Sequence, residues 1–308
     1  MRGTVQILNS AHGTVNDGGE AKSANCSLAV VDDRGVFFLH VTDQRAFGLS
    51  TRTMSFNLNG YAVVPELVTE GDLALARSLV GRLTERYRQG DVAALLAGVS
   101  ISDAGRRNPQ RNPGVDPEQW TQEPFIIGDL LALEPCFARL FSRESIWNCV
   151  AKLLDCMPSE LLFHFSNLTR KPGMAGPAIG WHRDAQNNYF ASEDGRTVRV
   201  LIALEHMSTE NGGTAVVPRS HMDAVAGIED ALCPEVSPGS CLVLHSATLH
   251  GGTPNRSGRE RDVIVMQFGL RSSSLRCQAS ECMALSSRDE LLVFASNLPD
   301  NQRCAAEN

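Results

Sequence analysis

Two histidines and an aspartate give the first chemical signal in this chain. His182 and Asp184 flank one residue in Gly180-Trp181-His182-Arg183-Asp184, and His250 follows downstream in Leu249-His250-Gly251-Gly252. Neutral imidazoles and a carboxylate in this order are the ligands of the 2-His-1-carboxylate facial triad. That triad holds Fe(II) on one face and leaves the opposite positions open. On a strand, residues two apart point to the same face, so both side chains of His-x-Asp can reach one ion. Alone, the pair is a weak signal, because a surface His beside a solvated Asp is the ordinary reading. His245 is a rival for the third position. The glycines after His250 favour the latter, since small residues let a ligand approach closely. Zinc accepts the same ligand types.

Arg261 follows, immediately before the apolar run Val263 to Gly269. An arginine at a strand mouth grips a carboxylate through two parallel charge-assisted hydrogen bonds. Arg259 would share its face on a continuous strand and is the fallback. Asn255 and Ser257 lie between His250 and these arginines. His206 and His221 read as hydrogen-bonded structural residues once a triad is complete.

The elements that must position these groups change character along the chain. Residues 1–53 form a variable extension with a polar, poorly ordered lead. Within it two β-rich runs flank Asp32-Asp33-Arg34-Gly35 and suggest a hairpin. Residues 54–308 read as a single domain with helices in 70–156. Thr69 and Asp72 resemble a capping box ahead of Leu73, Ala76, Leu79, Val80 and Leu83 at helical spacing, and Gly90 stops that helix. Further helices fit Asp91 to Val99, Asp129 to Phe141 and Glu144 to Cys156. Between Ser100 and Glu123 the chain is polar and aperiodic, a candidate substrate-side lid. From about residue 160 to 271 short strands alternate with turns such as Asn211-Gly212-Gly213 and Ser237-Pro238-Gly239. This argues for an antiparallel sandwich or barrel preceded by helices.

Composition removes several function classes. With 43% hydrophobic residues the 308-residue chain can bury a large core, and a net charge of −7 disfavours phosphate backbones as partners. No apolar stretch approaches the roughly 20 residues of a membrane helix. Met1 to Ser10 lacks signal-peptide features, so the expected compartment is cytoplasmic. Nine scattered cysteines without Cys-x-x-Cys spacing indicate neither a disulfide framework nor a thiolate zinc site, and Cys136, Cys149 and Cys241 read as small core residues.

Taken as a spaced set, His182-x-Asp184, Asn211 to His221, Pro238-Gly239-Ser240 and His250 to Ser257 followed by Arg261 resemble the phytanoyl-CoA dioxygenase family. The resemblance runs from about Phe56 to Gly269. It implies a mainly β chain with flanking helices around a double-stranded β-helix core, the jelly roll of cupin-like proteins. It implies Fe(II), 2-oxoglutarate and O2, with His182, Asp184 and His250 as metal ligands and Arg261 holding 2-oxoglutarate. Thr169, its same-face neighbour Asn167, and Thr214 occupy positions that contact 2-oxoglutarate in relatives. Trp181, Gln186, Asn188 and Tyr189 flank the metal pair and are the candidate substrate contacts. Two departures stand out. Pro218-Arg219-Ser220-His221 replaces the usual Pro-Gly-Ser-His, and the amide-rich segment after Asp184 matches no coenzyme A pattern. Halogenating members lack the carboxylate, so Asp184 favours hydroxylation or a related C–H oxidation. The expected substrate is a small metabolite of a biosynthetic, secondary-metabolite pathway, with succinate and CO2 as co-products. Nucleic acid and membrane are excluded as partners, and a homodimer is left open. The rival readings are a non-catalytic jelly-roll binding protein and a zinc hydrolase.

Overall fold

The computed structural model describes residues 26–32, 35–41, 53–91, 101–104 and 123–298. It divides into two units, Met1–Met54 and Ser55–Asn308. In the first, Cys26–Asp32 (β1) and Gly35–Val41 (β2) pair antiparallel from Cys26↔Val41 to Asp32↔Gly35, as two apolar runs around a short turn predict. The polar lead, the helix expected over Asp91 to Val99 and most of the candidate lid lie outside the described residues.

The second unit is built on a seven-stranded antiparallel sheet ordered β3-β11-β9-β13-β6-β5-β4. Its strands are Tyr61–Val64 (β3), Ile101–Asp103 (β4), Pro124–Gly128 (β5), Leu161–Lys171 (β6), Thr197–Ala203 (β9), Cys241–His245 (β11) and Arg261–Leu270 (β13). A smaller sheet, ordered β10-β12-β7, joins Ile179–His182 (β7), Thr214–Val216 (β10) and His250–Gly252 (β12). Phe190–Ser192 (β8) pairs with Leu275–Gln278 (β14), beyond the expected end of the core. This is the double-stranded β-helix.

Helices cover the far side of the large sheet. Residues 53–59 (α1) are helical where a turn leads into β3. In Glu70–Arg88 (α2) Thr69 and Asp72 make both capping-box bonds, and the expected apolar stripe is buried. The stretch expected as one helix from Asp129 is two, Leu130–Leu133 (α3) and Phe137–Phe141 (α4). Pro135 separates them because it has no N–H and its ring clashes with the preceding turn. Glu144–Leu153 (α5) follows, and Arg288–Ser296 (α6) lies near the end of the described chain. Cys136, read as a small core residue, is buried but disulfide-bonded. Among the described residues no helix is long and apolar enough to cross a membrane.

The large sheet is buried on both faces, and a bulge decides which residues face which side. Continuous alternation would put Leu161, Phe163, Phe165, Asn167 and Thr169 on one face. Instead Gln267 pairs with Phe165 and Phe268 with Phe163, so β6 carries one extra residue, His164. Leu161, Phe163 and then Leu168 join Trp147 and Phe268 in the helix-side core. Phe165, Asn167 and Thr169 line a cavity on the other face. The bulge residue is locked in place. Its ring stacks on Phe190 with centroids 4.5 Å apart, and its Nδ1 lies 3.2 Å from Gln267 Nε2. Burial holds its pKa down at about 3, so it is neutral.

Gly269 is required beside it, because a Cβ there would come within 2.3 Å of His164 Cε1. Gly269→Ala should therefore cost about 1–3 kcal/mol by overpacking, read as a lower urea midpoint at unchanged m-value. An unchanged midpoint would mean that the ring can give way and that the bulge is not locked by it.

Candidate metal centre

Pairing of the small sheet creates the site. Strands β7 and β12 run antiparallel with His250 directly opposite His182, and the two imidazole centroids are 4.3 Å apart. His182 Nδ1 lies 2.8 Å from Gly180 O, and His250 Nδ1 lies 2.9 Å from Thr248 O. A carbonyl can only accept, so each Nδ1 carries the proton and each Nε2 keeps its lone pair for a ligand. Those Nε2 atoms are 3.6 Å from Asp184 Oδ1 and 3.7 Å from Asp184 Oδ2 respectively. The ligand atoms of all three residues lie within 4.8 Å of one another.

Asp184 reaches this point by a turn, not by strand alternation. β7 ends at His182, and Asp184 opens a 3-10 turn to Gln186 whose Ala185 N–H donates to Ser246 O. Its carboxylate is buried, and neither oxygen receives a well-aligned hydrogen bond. Burial pushes its pKa up, but Arg199, then His250 and His182, outweigh this and hold it at about 2. Burial pushes His250 down to about 4, against the pull of Asp184. At neutral pH these two groups are carboxylate and free imidazole, the forms that bind metal. Two inward lone pairs and an under-bonded carboxylate fit Fe(II) or a similar divalent ion.

The ion pair to Arg199 has no counterpart in the sequence reading. Arg199 Nη1 lies 2.9 Å from Asp184 Oδ1, its Nη2 donates to the Tyr189 hydroxyl, and its Nε donates to Gln267 Oε1 at 3.3 Å. Its guanidinium also sits 5.2 Å from the Phe165 ring centroid and 5.7 Å from that of Tyr189. The available signal was a lone arginine in the apolar run Thr197–Ala203, since a charge in a doubly buried strand demands a partner.

A cavity of about 620 Å³ opens beside the triad, lined by His182, His250, Asn167, Thr169, Thr214 and Arg261 among others. Arg261 begins β13, fully buried, with one Nη donating to Gly212 O and its Nε without a partner. Burial lowers its pKa to about 10, which leaves it a cation. Lys171 pairs with it across the sheet and donates its ammonium to Thr253 O. A Cβ at Gly212 would fall 2.6 Å from Lys171 Cδ, so glycine there is what lets the chain close over both cations. This end of the cavity is built for an anion. Arg259 precedes the strand and is exposed, outside the lining. Asn255 and Ser257 do not line the cavity either. Asn255 donates to Lys171 O and Arg259 O and accepts from Ser257, which staples the loop that delivers Arg261.

Of the expected substrate contacts, Trp181 and Tyr189 line the cavity. Gln186 and Asn188 do not, because the 3-10 turn rotates them out of the face that a strand would have given. Asn187 lines it instead, its amide donating to Asp184 O and Phe190 O. His245 faces away from the site: its ring lies 5.4 Å from that of His221 and 6.2 Å from that of Phe56.

The sequence model of the family described as phytanoyl-CoA dioxygenase (PhyH) matches residues 56–263. Ectoine dioxygenase of Streptomyces avermitilis is 28% identical over 171 residues, which are 54% of this chain and 50% of that protein. The chain thus spans about half the length of that curated relative. Among solved structures, EctD from S. alaskensis with 2-oxoglutarate and 5-hydroxyectoine superposes with a TM-score of 0.59 at 21% identity, covering 77% of this chain and 86% of that one. The non-heme alpha ketoglutarate dependent epimerase SnoN from nogalamycin biosynthesis gives 0.55 at 17% identity, covering 74% and 85%. These likenesses show the fold.

Arg199→Met would leave Asp184 a buried carboxylate without its cation, and the metal-free chain should lose about 3–5 kcal/mol. Mn(II) added to both proteins should raise the melting temperature more in the variant, because the ion then replaces the missing charge. Equal shifts would show that Arg199 does not compensate Asp184.

Proposed function

Because the chain belongs to the phytanoyl-CoA dioxygenase family, we propose that it is a non-haem Fe(II)- and 2-oxoglutarate-dependent dioxygenase. In this reading it oxidises a C–H bond of a small metabolite and releases succinate and CO2. One observation carries it: a 2-His-1-carboxylate cluster and a buried arginine with an unpartnered Nε line or adjoin one cavity. A role in a biosynthetic pathway is supported by the named activities of relatives, SnoN among them.

His182, Asp184 and His250 hold the metal. Bound Fe(II) supplies the oxidising power, drawn from O2 and the oxidative decarboxylation of 2-oxoglutarate. The protein's part is orientation. Arg261 grips the far carboxylate of 2-oxoglutarate, and Thr169 and Thr214 offer hydroxyls beside it, with Asn167 next along the same face. Trp181 and Tyr189 are partly exposed and line the cavity from the same side as the triad, where they contact the substrate. Phe165, Leu201, Val263 and Val265 keep the inner wall apolar, which limits water near the reacting atoms. Asp184 would fill the ligand place that halide takes in halogenating members of the family, so oxidation without halogen transfer is the reading it favours.

Purified chain with Fe(II), 2-oxoglutarate and O2 should form succinate slowly, and faster with a matching metabolite. His250→Ala should abolish both rates together with Fe(II) binding. Absence of succinate under all these conditions, or undiminished metal binding in the variant, would sink the reading. Arg261→Gln should weaken 2-oxoglutarate binding about 100-fold, on the order of 3 kcal/mol, without loss of the metal. Co-substrate affinity that does not change would remove Arg261 from the site.

A further inference from the structure

One carboxylate in the cavity lining is used neither by the metal centre nor, among the described residues, by a cation of the protein. Glu281 lies in the segment between β14 and α6, beyond residue 263 where the family match ends.

Its position is set by a specific anchor. Asp129, the N-cap of α3, accepts from Ala132 N–H at 3.2 Å through one oxygen and from Cys282 N–H at 2.9 Å through the other. Both Asp129 oxygens are thus occupied, and the second bond pins the residue next to Glu281. The Glu281 carboxylate receives the Ser166 backbone N–H, and among the described residues it has no ion pair. Burial, and then the charge of Asp129, push its pKa up to about 7. A half-buried carboxylate with one amide donor and a second carboxylate close by is under-compensated.

The rest of the cavity shows what the missing partner is. Arg261 lies at one end with Lys171 behind it, and this end takes an anion. Arg199 is committed to Asp184, Tyr189 and Gln267. Across the large sheet, Leu201, Val265 and Asn167 form one row that continues to Gly128 at the end of β5. The Ser166 amide and Asp129 put Glu281 at the Gly128 end of this row. That is between the Arg261 end and the row of Phe165 and Arg199. A dicarboxylate is drawn to Arg261 and repelled by Glu281, so the two ends sort their ligands by charge.

Resting on the dioxygenase reading, we infer that Glu281 determines specificity, selecting a substrate with a cationic nitrogen (ammonium, amidinium or guanidinium) that ion-pairs with it. The same contact orients the substrate laterally to the 2-oxoglutarate held by Arg261.

The test is calorimetric titration of the full chain loaded with Ni(II) and 2-oxoglutarate. The probes are putrescine and agmatine as cations, N,N′-diacetylputrescine as the neutral counterpart and 4-acetamidobutyrate as the anion. The cations should bind about 10-fold or more tighter than the diacetyl compound, the factor a charge-assisted hydrogen bond supplies. Glu281→Gln should erase the preference, Glu281→Asp should retain it, and Glu281→Lys should turn it toward 4-acetamidobutyrate. Equal or undetectable binding of cations and neutral probe by a wild-type chain that binds 2-oxoglutarate overturns the inference. So does a preference that survives Glu281→Gln. If the wild-type chain fails to bind 2-oxoglutarate at all, the dioxygenase reading itself falls, and this inference with it.

Discussion

A buried carboxylate must be compensated, and in this protein that requirement joins the two sheets. Asp184 belongs to the small-sheet side, two residues beyond the end of β7 in a 3-10 turn, whereas Arg199 projects from β9 in the large sheet. Arg199, 2.9 Å from that carboxylate, supplies the cation its burial demands. The same guanidinium is held over Phe165 and Tyr189 and bonded to Gln267, so its own burial is offset by several partners. Asp184 is thereby fixed against two imidazoles whose tautomers are set by backbone carbonyls. All three ligand groups are thus oriented by bonds to other groups of the protein, which is what a metal centre requires of its surroundings.

The cavity divides by charge around this centre. Arg261 and Lys171 make one end positive, Glu281 places a carboxylate on a side wall, and apolar side chains fill the ground between. In a low-dielectric space these separated charges act strongly on ligands, because little water intervenes.

Local elements were largely legible in the amino-acid order. The Thr69–Asp72 cap, the stripe of α2 and the β1–β2 hairpin all follow from propensities acting over a few residues. Readings that assumed a long uninterrupted period failed at particular residues. Pro135 divides a helix, and His164 inserts into β6 and reverses its faces, so that Phe163 and Phe165 part company. Such a bulge is stabilised by Phe190, Gln267 and Gly269, each remote in sequence, and a local pattern contains no trace of them.

The same division holds at the site. The order His182, Asp184, His250, Arg261 names a metal and carboxylate chemistry, because ligand type and spacing along strands are properties of the chain itself. Asn255 and Ser257, which lie between His250 and Arg261 in the sequence, hold the loop before β13. Arg199, Lys171 and Glu281 acquire their meaning only when β9, β6 and the segment after β14 meet around one cavity. Sequence determines which groups can bind a metal or grip a carboxylate. Tertiary structure decides which charges are buried together, and burial is what turns an ordinary arginine or glutamate into a group that must find a partner.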